Sequence, residues 1–272
     1  MPIGRCFARH SRPVIELPLE ALTYLAAYIA ITIITPQILG RTTLIVRFPA
    51  AIILLWLISL TASLLSLWHG TGLLISESIR RQVTGESINN WFSSVIGSIL
   101  TWLSLAFLGV ITFRIMAAIE TLRAERATAI EEIAPLLRGA TITEYRGIRV
   151  YEVKSNQPLI AAVPWANAIA ISSELRKRVP PKLLEPAFEH ELTHLRWHHS
   201  VLVSVAALAV TAAGGIRASR RFAQAVRIAV ELTADDAASR RLGRLRVAES
   251  LAEVYPNDEQ VSERIKRLRR GQ

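Results

Sequence analysis

Along the chain, hydrophobic positions fall first into three long unbroken runs and then into short periodic stretches. Residues 21–39, 48–68 and 91–113 contain no Asp, Glu, Lys or Arg. About 20 apolar residues in a helix, at 1.5 Å each, cross a hydrocarbon core of about 30 Å, so the runs predict three transmembrane helices. Trp68 and Trp91 stand at run ends, where an amphipathic ring suits the headgroup region, and Arg47, Arg80, Arg81 and Arg114 flank the runs. Three such helices buried in a soluble protein would need far more chain to wrap them. The first run starts too late and is too long for a cleaved signal peptide, and is expected to stay in the mature protein. Residues 1–18, with Pro2, Pro13 and Pro18, read as a poorly ordered basic lead-in. Residues 69–90, with Gly70, Gly72, Gly85 and mixed charge, read as a polar link with room for a short surface helix.

The pattern then changes period. Residues 119–138 place Glu120, Arg123, Glu125, Arg126, Glu131 and Glu132 among alanines and leucines, as in a helix that leaves the membrane with its charges solvated. Residues 147–153 alternate at period two and read as a strand; 159–163 and 168–172 read as two more, broken by Pro164 and Asn167. A small antiparallel sheet is expected. Pro180 and Pro181 open a helix in which Leu183, Leu184, Ala187, Phe188, Leu192 and Leu195 recur at helical spacing. The apolar run 201–213 covers only about 20 Å as a helix, too little for a crossing, and ends at Gly214 and Gly215. Residues 216–242 and 247–270 are amphipathic and helical, the second broken at Pro256. The expected fold is therefore a mostly α membrane protein. Three spans occupy 19–118, and an α+β domain over 119–272 contains a small β-sheet and a membrane-associated helical hairpin at 201–230.

Composition supports this picture. Hydrophobic residues make up 51% of the 272, and the mean hydropathy is +0.33, high for an ordinary soluble protein. Cys6 stands alone, so the fold uses no internal disulfide. The net charge of +10 is concentrated late, in Arg217, Arg220, Arg221, Arg227, Arg240, Arg241, Arg244, Arg246 and the stretch 264–270. In a membrane protein this suits a domain lying against anionic headgroups. Nucleic-acid binding is not expected, since no aromatic-rich basic strand, helix-turn-helix or zinc-finger spacing accompanies the charge.

The chemistry centres on His190-Glu191-Leu192-Thr193-His194. On a helix, positions i and i+4 share a face, so both imidazoles can reach one metal ion with Glu191 beside it. A zinc ion with three protein ligands keeps a place for water and lowers its pKa to about 7, and Glu191 can then take the proton. Two solvated histidines on a polar helix face are the plainer alternative. The extended metzincin pattern requires Gly and His further along, where this chain has Trp197 and Ser200, so that class is excluded. The remaining common third ligand is a Glu from a following helix, and Glu231 offers one, with Asp235 a turn later to orient a ligand histidine. Chain length favours it. His194 to Gly214 advances about 30 Å as helix and Gly215 to Glu231 about 24 Å, so an antiparallel hairpin returns Glu231 to within a turn or so of the histidines.

With these motifs, with Ser262-Glu-Arg-Ile-Lys-Arg-Leu268 near the end and with several spans, the chain resembles the integral-membrane gluzincin peptidases. It is similar to both the BlaR/MecR antirepressor type and the HtpX/CAAX-protease type, over roughly 147–268. Three spans before the motif favour the first type, although no penicillin-binding sensor domain follows. The resemblance implies a zincin-like domain binding one Zn²⁺ per chain through His190, His194 and Glu231, with Glu191 as general base and Asp235 behind the ligands. It also implies that Arg264 lines the site. His198 and His199, on the next helical turn, are alternative ligands but more often solvated. The sheet edge at Ala161, Ala162 and Val163 is a candidate for pairing with an extended substrate. The expected activity is a membrane-bound zinc endopeptidase acting on a protein or peptide substrate, with its zinc domain on the cytoplasmic side of the cell membrane. A non-catalytic membrane sensor that keeps the fold, and a basic scaffold for anionic lipid, are the alternatives.

Overall fold

The structure, a computed structural model, describes residues 16–40, 42–84, 91–212, 215, 217–256 and 258–270. Residues 1–15 of the lead-in and Gly214 of the hairpin lie outside them. Helices α1 (Glu16–Leu39), α3 (Pro49–Thr84) and α4 (Trp91–Arg138) each contain a stretch long and apolar enough to cross a membrane, and the short α2 (Thr42–Arg47) lies between the first two. The link expected at 69–90 is corrected in part: α3 runs unbroken through Thr84. Its polar end is held by pairs local to the helix, in which Arg80 and Arg81 both bind Glu77 at 2.7–2.8 Å. Gly70 does not interrupt the helix because it faces α1, where an added Cβ would lie 3.1 Å from the Ala21 carbonyl oxygen. Likewise α4 continues without a break from its apolar half into the charged stretch that ends at Arg138.

The chain packs as two units, residues up to Thr35 with Leu57–Ile111, and Pro36–Trp56 with Thr112–Gln272. Within the first, α1, α3 and α4 are joined by contacts such as Tyr24 edge-on to His69 and the Thr101 hydroxyl donating to the Leu74 carbonyl.

The second unit contains the sheet, β1 (Thr141–Tyr145), β2 (Ile148–Val153), β3 (Ile160–Val163) and β4 (Ala168–Ser172), in the order β1-β2-β4-β3. It is mixed, not antiparallel as expected: β4 inserts beside β2 and runs parallel to it, while β1 and β3 pair antiparallel at the two edges. The cause lies in the links. A 3-10 turn at Pro164–Ala166 and Asn167, in the left-handed region at φ 46°, reverse β3 directly into β4. The longer segment 154–159 carries the chain past β4's position first. Strand β1, not foreseen, is joined to β2 by Arg146 and Gly147, both at positive φ, which is the backbone of a tight hairpin.

Helices α5 (Ser173–Arg178), α6 (Pro181–Arg196), α7 (His199–Ala212), α8 (Arg217–Leu242), α9 (Arg244–Val254) and α10 (Glu259–Arg270) follow. Leu184, Phe188, Leu192 and Leu195 form the buried stripe of α6 and pack on Val150, Ile160, Ile169 and Ile171 of the sheet. Pro186 lies inside α6, has no N–H and leaves the Lys182 carbonyl without its helical donor. Arg246 of α9 takes its place, donating to that oxygen through Nε and a terminal nitrogen at 3.1 and 3.0 Å, and Ser250 donates to the Leu183 carbonyl at 2.6 Å. The irregularity in α6 thus becomes the docking point of α9. Helices α7 and α8 form the expected hairpin, and its apolar side packs on α2 and the first turns of α3 through Ala206, Phe222, Val226 and Trp56.

Candidate metal centre

The site is built where α6 and α8 cross. His190, Glu191 and His194 project from α6, which caps at Trp197 and ends as His198 takes a left-handed backbone at φ 50°. The outgoing arm of the hairpin is therefore two helices, α6 and α7, rather than the single one counted from the sequence. Gly215, at φ 68°, lies in the turn, and α8 returns antiparallel. Glu231 comes back beside the histidines. His190 Nε2 lies 3.0 Å from His194 Nε2 and 3.3 Å from Glu231 Oε2, and His194 Nε2 lies 3.6 Å from Glu231 Oε1. All three ligand atoms fall within 4.8 Å of one another, so His190, His194 and Glu231 could hold a metal ion. Two imidazole nitrogens and one carboxylate suit zinc by donor type, although the geometry does not identify the metal.

Behind these donors stands a second set of polar groups. Asp235, fully buried, places Oδ1 3.0 Å from His190 Nδ1, off the line of an ideal hydrogen bond. Both its oxygens accept from Arg264 of α10, from Nε at 2.8 Å and a terminal nitrogen at 2.7 Å, while the other terminal nitrogen lies 2.9 Å from Glu231 Oε2. One guanidinium thus fixes two carboxylates in the planar fork arrangement that Arg alone provides. His194 is oriented differently: its Nδ1 lies 3.1 Å from Nδ1 of His199, buried at the start of α7. That contact is satisfied with the proton on His194 Nδ1, which leaves His194 Nε2 free as a ligand.

Charges in the site follow this arrangement. Burial works against a charged His190, but Asp235 and Glu231 outweigh it and hold the imidazole up at about 10. Burial pushes His194 down to about 3, with the His190 cation adding to the effect, and burial pushes His199 down to about 4. Glu231 and Asp235 resist burial and lie at about 2, the first held by its bond to His190 and by the Arg264 charge, the second chiefly by Arg264. Glu191 is shifted upward, because it is buried and the nearby positive groups offset this only in part. A buried carboxyl with a raised pKa keeps its proton more readily than an exposed one.

Glu191 faces a cleft of about 440 Å³ lined by Ala161, Ala162, His190, His194, Val203, Glu231, Tyr255 and Arg264 among others. The floor of the cleft is β3, an edge strand whose outer side is unpaired. On that side the Ala162 N–H donates to Glu191 Oε2 at 2.7 Å. Val163, the last of the three strand residues singled out in the sequence, packs instead with Leu137, Val153 and Ala170.

Of the residues singled out in the sequence, His190, Glu191, His194, Glu231, Asp235, Arg264, Ala161 and Ala162 meet at this site. His198 is exposed, whereas His199, expected to be solvated, is buried behind His194 because the left-handed residue before it turns the chain back. Tyr255 was not anticipated. It follows α9 and reaches the cleft because α9 is docked on α6 at Pro186, and the only signal available was its place between two amphipathic stretches. Compared with known proteins, the chain matches no family profile, no characterised protein and no solved structure.

Proposed function

We propose that the protein is a membrane-bound zinc-dependent endopeptidase with a zincin-like catalytic unit. The observation that carries the reading is the convergence of His190, His194 and Glu231 in one open cleft that also contains a buried carboxyl, Glu191, and a free strand edge. Zinc held by those three residues supplies Lewis acidity, acidifying water and polarising a carbonyl. The remaining steps belong to the chain. An extended substrate pairs along the outer edge of β3, which holds its scissile bond in place, and the Ala162 N–H passes from Glu191 to the substrate backbone. Glu191, so released, accepts a proton from the attacking water and delivers it to the leaving amine. The Tyr255 phenol, buried and shifted well above its ordinary pKa, stays protonated and can donate a hydrogen bond to the oxygen on which charge develops. Alternation of three spans would set Arg41, Arg47, Arg123 and Arg126 on this unit's side, nearly in balance with Arg5, Arg9 and Arg12 on the other, so the cytoplasmic location we propose for it rests on its own basic surface and on the family resemblance.

Glu191→Gln provides the test, since the amide oxygen can still accept from Ala162 while the base is lost. Wild type and variant should purify with equal metal, and casein cleavage should fall at least about 10²-fold in the variant. Equal cleavage by both, or wild type without bound metal, overturns the reading. Metal in both with cleavage in neither supports the non-catalytic sensor.

A further inference from the structure

Helix α10 carries two arginines that are drawn into the protein, and only one of them reaches the site. Glu259, Glu263, Lys266, Arg269 and Arg270 of this helix are exposed, whereas Arg264 and Arg267 are partly buried. Arg264 grips Asp235, and Arg267 does the same to the next residue of α8: its two terminal nitrogens donate to Asp236 Oδ1 at 2.8 Å and Oδ2 at 2.9 Å. Its Nε donates to the Val46 carbonyl, in the last turn of α2, at 3.0 Å. Three positions apart, the two arginines lie about 4.5 Å apart along α10 and about 60° apart around it, so they share one side of the helix. Nothing said so far of the metal centre uses Arg267, Asp236 or Val46.

The apolar contacts of α10 do not set its register. Val261 and Leu268, with Ile265 beside them, pack on Ala238, Val247, Ala248 and Leu251. Burial of this kind is non-directional and fixes the layer in which a helix lies, while a small slide or rotation within the layer costs little. A guanidinium fork is directional, since its hydrogen bonds weaken steeply off line. One fork alone leaves a pivot. The Arg264–Asp235 fork can be kept while α10 swings about it, but such a swing carries the other Arg264 terminal nitrogen away from Glu231 Oε2, now 2.9 Å distant. Glu231 is the donor with most to lose, because its two oxygens also lie 3.3 Å from His190 Nε2 and 3.6 Å from His194 Nε2. A second fork one residue along α8, with a bond to α2 besides, removes the pivot.

We propose that Arg267 is a positioning residue of the metal centre: by locking α10 to Asp236 and Val46 it keeps the Arg264 guanidinium on Glu231. The inference rests on the reading of His190, His194 and Glu231 as metal ligands. Arg267 touches none of them, and its effect passes through Arg264. A tie that served stability alone would use the same bonds but would leave the metal affinity of the folded protein unchanged.

The test measures Zn²⁺ affinity of the purified full chain against a competing chelator, at a temperature below the onset of melting. Arg267→Met should weaken binding about three- to tenfold, less than the 10–100-fold typical of a group bonded directly to a ligand. Asp236→Asn, which removes the same fork from the other side, should match it. Arg267→Lys keeps a charge beside Asp236 without the fork, and should still bind at least about threefold more weakly than wild type. In an Arg264→Met background, adding Arg267→Met should change the affinity by less than about twofold, because the path to Glu231 is already gone. Wild-type affinity in Arg267→Met, even with a lower melting temperature, overturns the proposal. So does wild-type affinity in Arg267→Lys, which decides the matter where the Met variant does not fold, and so does an undiminished effect in the Arg264→Met background. A wild type that binds no Zn²⁺ removes the metal centre and this inference together, whereas equal binding by wild type and Arg267→Met removes the inference alone.

Discussion

Replacing Asp235 by Asn should loosen the metal centre and the fold together. The substitution keeps the shape of the side chain and removes a charge that is fully buried, accepts two bonds from Arg264 and lies 3.0 Å from His190. Asp235 is held at about 2, below its ordinary 3.8. A carboxylate whose pKa is depressed on folding adds stability above its unfolded pKa and loses it as pH falls through the folded one. The shift corresponds to roughly 2 kcal/mol near neutrality, fading below about pH 4. Breaking a buried pair outright costs about 3–5 kcal/mol, but Glu231 still receives a guanidinium nitrogen at 2.9 Å, which keeps the expected loss towards the lower figure. At about 2–4 °C per kcal/mol for a unit of this size, the variant should melt roughly 5–10 °C lower at pH 7. The difference should be roughly halved at pH 3 and nearly vanish only below about pH 2. Metal affinity, measured against a competing chelator, should drop about 10–100-fold as His190 loses its orienting partner. Removing both charges in Asp235→Asn with Arg264→Met should restore part of the melting temperature, because no buried cation is left uncompensated. A single variant that melts with wild type at pH 7, or a double variant less stable than the single one, would refute the reasoning.

Three further outcomes are expected. His199→Phe fills the same space but cannot accept the His194 Nδ1 proton, so metal affinity should fall about tenfold or more with little change in melting; equal affinity in a chelator competition would show that His199 only packs. Metal binding must displace the His190 proton, held at about 10, so affinity should rise about tenfold per pH unit below that value, and a flat profile between pH 6 and 8 would contradict it. Ala162→Pro removes an N–H that faces Glu191 rather than β4, so the ladder should survive while kcat/KM on peptide substrates falls at least about tenfold; unchanged kcat/KM would remove the β3 edge from substrate binding.

Much of this was legible from the sequence wherever one element carried the whole pattern. His190 and His194 are separated by the helical repeat, so local geometry alone puts them on one face. Glu231 became visible through arithmetic, because two helical arms of similar length joined by glycines return to the same level. The bend at His198 did not spoil the count, since it changed the direction of the outgoing arm and hardly its length. The sheet was less accessible. Thr141–Tyr145 is mostly exposed and has no apolar alternation to announce it, and the parallel placement of β4 depends on how far the chain travels between β2 and β3.

The residues that hold the ligands in position were the hardest to foresee, for a physical reason. Arg264 reaches Asp235 from 29 residues away, on helices that dock to α6 in part through the carbonyl that Pro186 leaves for Arg246 of α9. That contact docks α9, and α9 with α10 then brings Tyr255 and Arg264 to the cleft. A proline within a helix normally reads as a local defect. Here the carbonyl it frees accepts bonds that help fix the C-terminal helices, and with them Arg264, which helps hold Glu231 and Asp235 charged. An Arg246→Met substitution, nine positions before Tyr255 and 15 after Glu231, would on this account disturb the candidate metal centre through α9 rather than through any contact of its own.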